Sequence, residues 1–173
     1  MQSALLLPVP AAEAAVGPHR ARLDASARDG VPAHITVLYP FLPPGGIGPA
    51  VLAELRRLFA AVPRFSFTLD RVRWFDQSVV WLGPSDESRF RALIDLAGGA
   101  YPSCPPYGGV YEDVVPHLTI GDRGGQAELQ AAAEAVRPLL PIVTEATRVI
   151  LMAGPDPRRE PGPWQTMASF PLG

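Results

Sequence analysis

Ala33-His34-Ile35-Thr36-Val37-Leu38-Tyr39-Pro40 and Pro116-His117-Leu118-Thr119-Ile120-Gly121 decide how this chain reads. Each holds a His-apolar-Thr-apolar tetrad on a run of strand-forming residues, with Val and Pro close before it. Side chains at i and i+2 of a strand share a face. His34 and Thr36 are therefore expected on one face, and so are His117 and Thr119. Tyr39 falls on the opposite parity to His34 and is assigned to core packing. The chain has 3 histidines in all, so two of them in matched settings point to one site built from two halves.

Two imidazoles and two hydroxyls converging on a groove suit in-line displacement at phosphorus. Histidine's ordinary pKa of roughly 6.5 lets one copy act as base and another as acid near neutrality. A threonine hydroxyl donates to an anionic oxygen. The chemistry needs no metal and no cofactor.

Composition narrows the alternatives. The 173 residues are 47% hydrophobic and 18% charged, which suits a globular chain with one core. The sequence contains no Lys, which excludes a Schiff base, a P-loop lysine and a lysyl-adenylate ligase. A net charge of −2 argues against a long nucleic-acid duplex as partner. One cysteine, Cys104, leaves no internal disulfide and no cysteine-built zinc site, and its loop setting suits an inert thiol. The opening Met1-Gln2-Ser3-Ala4-Leu5-Leu6-Leu7-Pro8 reads as a first strand and not a signal peptide, and no apolar run is long enough for a membrane span. A cytoplasmic location is expected. The sequence sets no oligomeric state.

Hydrophobic periodicity gives the order β-α-β-α-β-β-α-β-α-β-β. Strands are expected over 3–9, 33–41, 65–74, 78–82, 114–120, 142–153 and 164–172. Helices are expected over 11–24 (interrupted near Gly17-Pro18), 49–62, 85–96 and 126–140. Gly98 to Gly109 reads as a turn-rich loop. On the third helix Phe90, Leu93, Ile94 and Leu96 are taken as the apolar side.

The paired tetrads resemble the 2H phosphoesterase superfamily, in its bacterial 2′-5′ RNA ligase-like and cyclic phosphodiesterase branch. The residues that carry the resemblance are His34-Ile35-Thr36-Val37 and His117-Leu118-Thr119-Ile120, within Val-Pro-Ala-His-Ile-Thr-Val-Leu-Tyr-Pro-Phe and Val-Val-Pro-His-Leu-Thr-Ile. The resemblance implies an α+β fold over residues 1–173: one domain of two intertwined lobes with pseudo-two-fold symmetry. Each lobe would be an antiparallel sheet with outer helices, and a central cleft would separate them. It implies metal-independent opening of 2′,3′-cyclic phosphates, or reaction at 2′-5′ phosphodiester bonds, on a cyclic-phosphate nucleotide or an RNA end. His34 and His117 would be the acid–base pair and Thr36 and Thr119 the phosphate ligands. In the family a basic residue often follows the second motif closely; here Asp122 comes first and Arg123 after it.

Tyr107, Tyr111 and Phe75 are the aromatic candidates for lining the substrate, with Trp81 a weaker one. The first two sit in the loop leading into the second motif. His19, beside Arg20 and Arg22, is assigned to a solvated surface, as are the Arg56-Arg57 and Arg158-Arg159 pairs. Two rival functions are carried forward. One is a binding module for nucleotides or RNA ends that keeps the pocket without turnover. The other is a two-histidine metal site, which would draw further ligands from Glu112, Asp113 or Asp122.

Overall fold

The structure is a computed structural model and describes residues 1–156, 160 and 162–173; the Arg158-Arg159 pair lies outside the described residues. In chain order the first half holds β1 (Gln2–Pro8), α1 (Glu13–Leu23), α2 (Ala25–Arg28), β2 (His34–Leu38), α3 (Pro49–Ala60) and β3 (Phe65–Phe75). The second holds β4 (Val79–Pro84), α4 (Ser88–Ala100), β5 (Leu118–Gly121), α5 (Gln126–Val136), β6 (Ile142–Ala146), β7 (Arg148–Gly154) and β8 (Gln165–Pro171).

The strands form two antiparallel four-stranded sheets, ordered β2-β1-β7-β8 and β5-β4-β3-β6. The fold is α+β, as expected. In each sheet a motif strand lies at the edge and pairs with the strand that precedes it in the chain: β2 with β1 across α1 and α2, and β5 with β4 across α4. The central strands β1 and β7 are apolar along nearly their whole length, because residues on both of their faces are covered.

One core joins the two sheets. It gathers Leu5 and Leu7 of β1, Ile35 of β2, Leu55 and Phe59 of α3, Phe90 and Leu93 of α4, and Leu82 and Leu118 of β4 and β5. The opposite face of the β1–β7 pair carries a smaller cluster of Ala4, Leu6, Ile150 and Met152 with Val31, flanked by Tyr39 and Trp164. That second face floors part of the cleft.

Three expectations are corrected. The single strand expected over 142–153 is two. β6 pairs with β3 in one sheet, the chain breaks at Thr147, and β7 enters the other sheet between β1 and β8. The helix over 13–23 runs unbroken through Pro18. The proline's missing N–H leaves only the Ala14 carbonyl without a helical donor, and Ala14 and Pro18 are both exposed, so water can serve it. Finally, α4 continues through Gly98 and Gly99 to Ala100. Its buried stripe is Phe90, Leu93, Ile94 and Ala97, while Leu96 is exposed. That i, i+3, i+4, i+7 burial outweighs roughly 1 kcal/mol of helix propensity lost per glycine.

Candidate active site

β2 and β5, the edge strands of the two sheets, lie against each other across the cleft. Each keeps its apolar residues inward and its polar ones half-open. Ile35 and Leu118 are fully buried, whereas His34, Thr36, His117 and Thr119 are only partly so. The parity argument thus places all four on the cleft side.

The two strands repeat one local geometry. Each histidine Nδ1 lies 2.7 Å from the carbonyl oxygen two residues back, Pro32 for His34 and Val115 for His117. A carbonyl only accepts, so Nδ1 carries the hydrogen and Nε2 remains for the cleft. Each strand also bulges one residue after its threonine. Thr36 pairs with Leu6 and Leu38 with Leu5, which leaves Val37 unmatched. Thr119 pairs with Trp81 and Gly121 with Val80, which leaves Ile120 unmatched. This shared defect extends the internal repeat beyond the tetrads.

The bulge overturns the placement of Tyr39. An extra residue shifts every later side chain to the other face. Val37 and Leu38 both go inward, and Tyr39 rejoins the face of His34 and Thr36. Its hydroxyl lies beside Gln2 Oε1, and its ring meets Trp164 and Tyr107.

The histidines differ in what surrounds them. Behind His34 lies a buried ion pair, Arg20 with Asp24 at 2.8 Å, each residue 2% exposed. Arg20 also donates to Ser26 Oγ and the Val31 carbonyl, and Asp24 accepts from the Ser26 amide and hydroxyl. Sequence position had suggested surface for this stretch of α1. Arg20 is instead buried, because the chain folds Asp24, Ser26 and Val31 back around it. Burial, together with the Arg20 cation, lowers the His34 pKa to about 4. Glu13 fixes the start of the same strand by accepting from the Ala33 amide at 2.6 Å.

His117 stands among aromatics. Its ring meets Phe75 edge-on at 4.9 Å and Trp81 at 5.7 Å, and those two stack on each other at 4.7 Å. Burial lowers its pKa too, with no cation contributing. Trp81 does not reach the cavity; it is 2% exposed, behind Phe75 and His117.

Two cavities flank the pair. One, of about 380 Å³, is bounded by His34, Thr36, Tyr39, Trp164, Asp29 and Arg123. The other, of about 700 Å³, is bounded by His117, Thr119, Phe75, Tyr107 and Tyr111. Asp122 borders both. The loop before the second motif brings Tyr107 and Tyr111 to the second cavity. Tyr107, held at φ 51°, donates its amide to the Tyr39 carbonyl and shares a hydrogen bond with the Thr36 side chain. A residue of the second half is thus tied to the motif of the first.

At the end of β5 the Asp122 and Arg123 amides both donate to the Leu23 carbonyl. This turns Arg123 toward the His34 cavity. The approach needs a glycine before it: a Cβ on Gly121 would lie 2.8 Å from that of Leu23. Asp113, named as a possible metal ligand, is instead paired with Arg91 at 2.6 Å. Among the described residues no group of three or more His, Cys, Asp or Glu is arranged to hold a metal ion. Nor is any helix among them long and apolar enough to cross a membrane.

Solved structures are similar to this chain in fold. Escherichia coli LigT complexed with 3′-AMP matches with a TM-score of 0.62 at 19% identity, over 99% of this chain and 97% of its own. TT0787 of Thermus thermophilus matches with a TM-score of 0.61 at 18% identity, over 99% and 98%. A structure described as a phosphoesterase matches with a TM-score of 0.60 at 21% identity, over 99% and 98%. Comparison with curated protein sequences finds no match. The model of the 2′-5′ RNA ligase superfamily matches residues 8–156, a span that takes in both His-x-Thr strands and the two helices that deliver them. On that match, and on a fold common to LigT and TT0787, the chain belongs to the 2′-5′ RNA ligase superfamily.

Proposed function

We propose that this protein is a phosphodiesterase of small nucleotides or RNA ends, opening 2′,3′-cyclic phosphates or acting on 2′-5′ phosphodiester bonds by paired histidine acid–base catalysis. The observation that carries the reading is the matched pair of histidines. Each lines the cleft and is held by a backbone carbonyl at Nδ1, which leaves Nε2 for a substrate, with a threonine two residues on. Membership in the superfamily supports it, as do LigT structures complexed with 3′-AMP, NADP+ and ATP.

The differing surroundings supply the roles. The Arg20 cation behind His34 favours the neutral ring, so His34 is the general base; His117, with no cation behind it, is the acid. In cyclic-phosphate opening, His34 Nε2 takes a proton from water as the water oxygen bonds to phosphorus. The P–O bond to the ribose breaks, and His117 Nε2 gives its proton to the departing oxygen. Thr36 and Thr119 donate to the non-bridging oxygens, and Arg123 offsets their charge.

Incubation with 2′,3′-cyclic nucleotides and 2′-5′ dinucleotides, with and without exhaustive chelation, tests the reading. The expected result is a ring-opened monophosphate or a cleaved dinucleotide, formed equally well with chelator. Saturable binding with no product from any of them would replace it with the binding-module reading. Loss of activity restored by a metal would sink the mechanism.

Two further outcomes follow from the geometry. The kcat/KM profile is bell-shaped and acidic: His34 becomes neutral above about pH 4, and His117 is protonated only below its lowered pKa, under 6.5. A bound phosphate raises both values, so the kcat profile lies at higher pH. A rate that climbs steadily from pH 5 to 9 contradicts the pairing. Thr36→Val or Thr119→Val costs about 1–3 kcal/mol of transition-state stabilisation by leaving a phosphate oxygen without its donor. This reads as roughly 5- to 150-fold in kcat/KM. Variants equal to the wild type would remove the ligand role.

A further inference from the structure

The cavity beside His34 is built unlike the one beside His117. Its floor is the apolar cluster of Leu6 and Val31 with their neighbours on the cleft face of the sheet. Its wall is Trp164, a residue at the far side of that sheet which the sequence did not single out for the site. The indole lies flat on Gly154, where a Cβ would stand 2.3 Å from the ring. Its amide donates to the Asp29 carbonyl at 2.7 Å. The Tyr39 ring stands beside it, 6.3 Å between centroids. An aromatic face held on two sides above an apolar floor is a stacking platform for a planar ring. The volume of about 380 Å³ is within the range of small-ligand sites.

The rim of this cavity is where base identity can be read. Asp29 borders it, and among the described residues the Asp29 side chain has no hydrogen-bond partner. Ser26, also on the rim, already serves Asp24 and Arg20. A carboxylate accepts and does not donate. Guanine offers two adjacent N–H donors to it, adenine and cytosine one amino group each. Uracil sets a single N–H between two carbonyl oxygens that a carboxylate repels.

We infer that the Trp164–Tyr39 cavity is a nucleobase subsite, with Trp164 as its stacking face and Asp29 as the residue that selects guanine over uracil. The inference rests on the phosphodiesterase reading for its phosphate position, but the contacts themselves are independent of turnover.

Calorimetric titration with guanosine 2′-monophosphate and uridine 2′-monophosphate tests it without requiring catalysis. The wild type is expected to bind the guanosine nucleotide on the order of tenfold tighter. Asp29→Asn brings that ratio close to one, because the amide presents a donor where guanine also donates. Trp164→Leu weakens both nucleotides on the order of tenfold, and Trp164→Phe keeps most of the affinity by keeping a stacking face. Equal affinities in the wild type, or a ratio unchanged in Asp29→Asn, overturns the inference. Base-dependent binding in a protein that turns over no phosphodiester supports the subsite and removes the catalytic reading. Turnover of cyclic phosphates with no base preference in rate or affinity removes the subsite and leaves the catalytic reading standing.

Discussion

His34→Ala and His117→Ala are each expected to lower kcat/KM for a 2′,3′-cyclic nucleotide by roughly 10²–10⁴-fold, the range of a lost general acid or base. The double variant is expected to fall little further than the worse single one, because the two rings serve one proton relay. Folding should survive both changes: each ring is only half-buried, and Ala leaves a backbone carbonyl that water can reach. The roles are separated by the leaving group. A 2′-deoxyuridine 3′-(4-nitrophenyl phosphate), which has no 2′-hydroxyl to attack in place of water, expels nitrophenolate, which departs without a proton, but the attacking water must still lose one. On that substrate the His117→Ala deficit shrinks to within about tenfold, and the His34→Ala deficit stays full-sized. The opposite pattern would exchange the two roles. Equal deficits on both substrates would mean that neither histidine acts as the acid.

What could be read from residues alone depended on regular geometry. His34, Thr36, His117 and Thr119 emerged because strand alternation is indifferent to the rest of the fold. Tyr39 lies five residues from His34, just past the end of β2, and parity misplaced it. The bulge falls on Val37, an ordinary strand former, so no glycine or polar residue announced it. The split at Thr147 did leave a trace. Ile142 to Ala146 alternates in burial, as an edge strand does, whereas Val149 to Ala153 is apolar without a break, as a central strand is. In the sequence the only trace of that change is Thr144-Glu145 in the first stretch against the unbroken apolar run Val149 to Ala153 in the second. Trp164 and Arg20 had none. Trp164 reaches the site only because β8 closes the far edge of the sheet. Arg20 sits among polar neighbours on a helix with little apolar periodicity, and its partners arrive from a later turn of chain.

Arg20 is where fold stability and site chemistry meet most directly. Arg20→Met keeps the apolar stem and removes the charge, leaving the Asp24 carboxylate 2% exposed without its cation. Breaking a buried pair from one side costs about 3–5 kcal/mol. The variant is therefore expected to unfold at markedly lower denaturant, and Arg20→Met with Asp24→Asn should recover part of the loss by removing the stranded charge. The same substitution acts on His34. The cation that disfavours imidazolium is gone, and Asp24, which favours it, remains. The His34 pKa rises from about 4 toward its ordinary 6.5, and the acidic limb of kcat/KM moves up with it while the alkaline limb, set by His117, stays in place. Stability carries a matching sign. In the wild type the unfolded His34 takes up its proton near 6.5 and the folded one only near 4, so stability contributed by the neutral ring is lost as pH falls through that window. In Arg20→Met the window narrows, and this part of the acid destabilisation is smaller. An acidic limb that does not move in Arg20→Met would mean that His34 does not set it, and the assignment of His34 as the base would lose its electrostatic support.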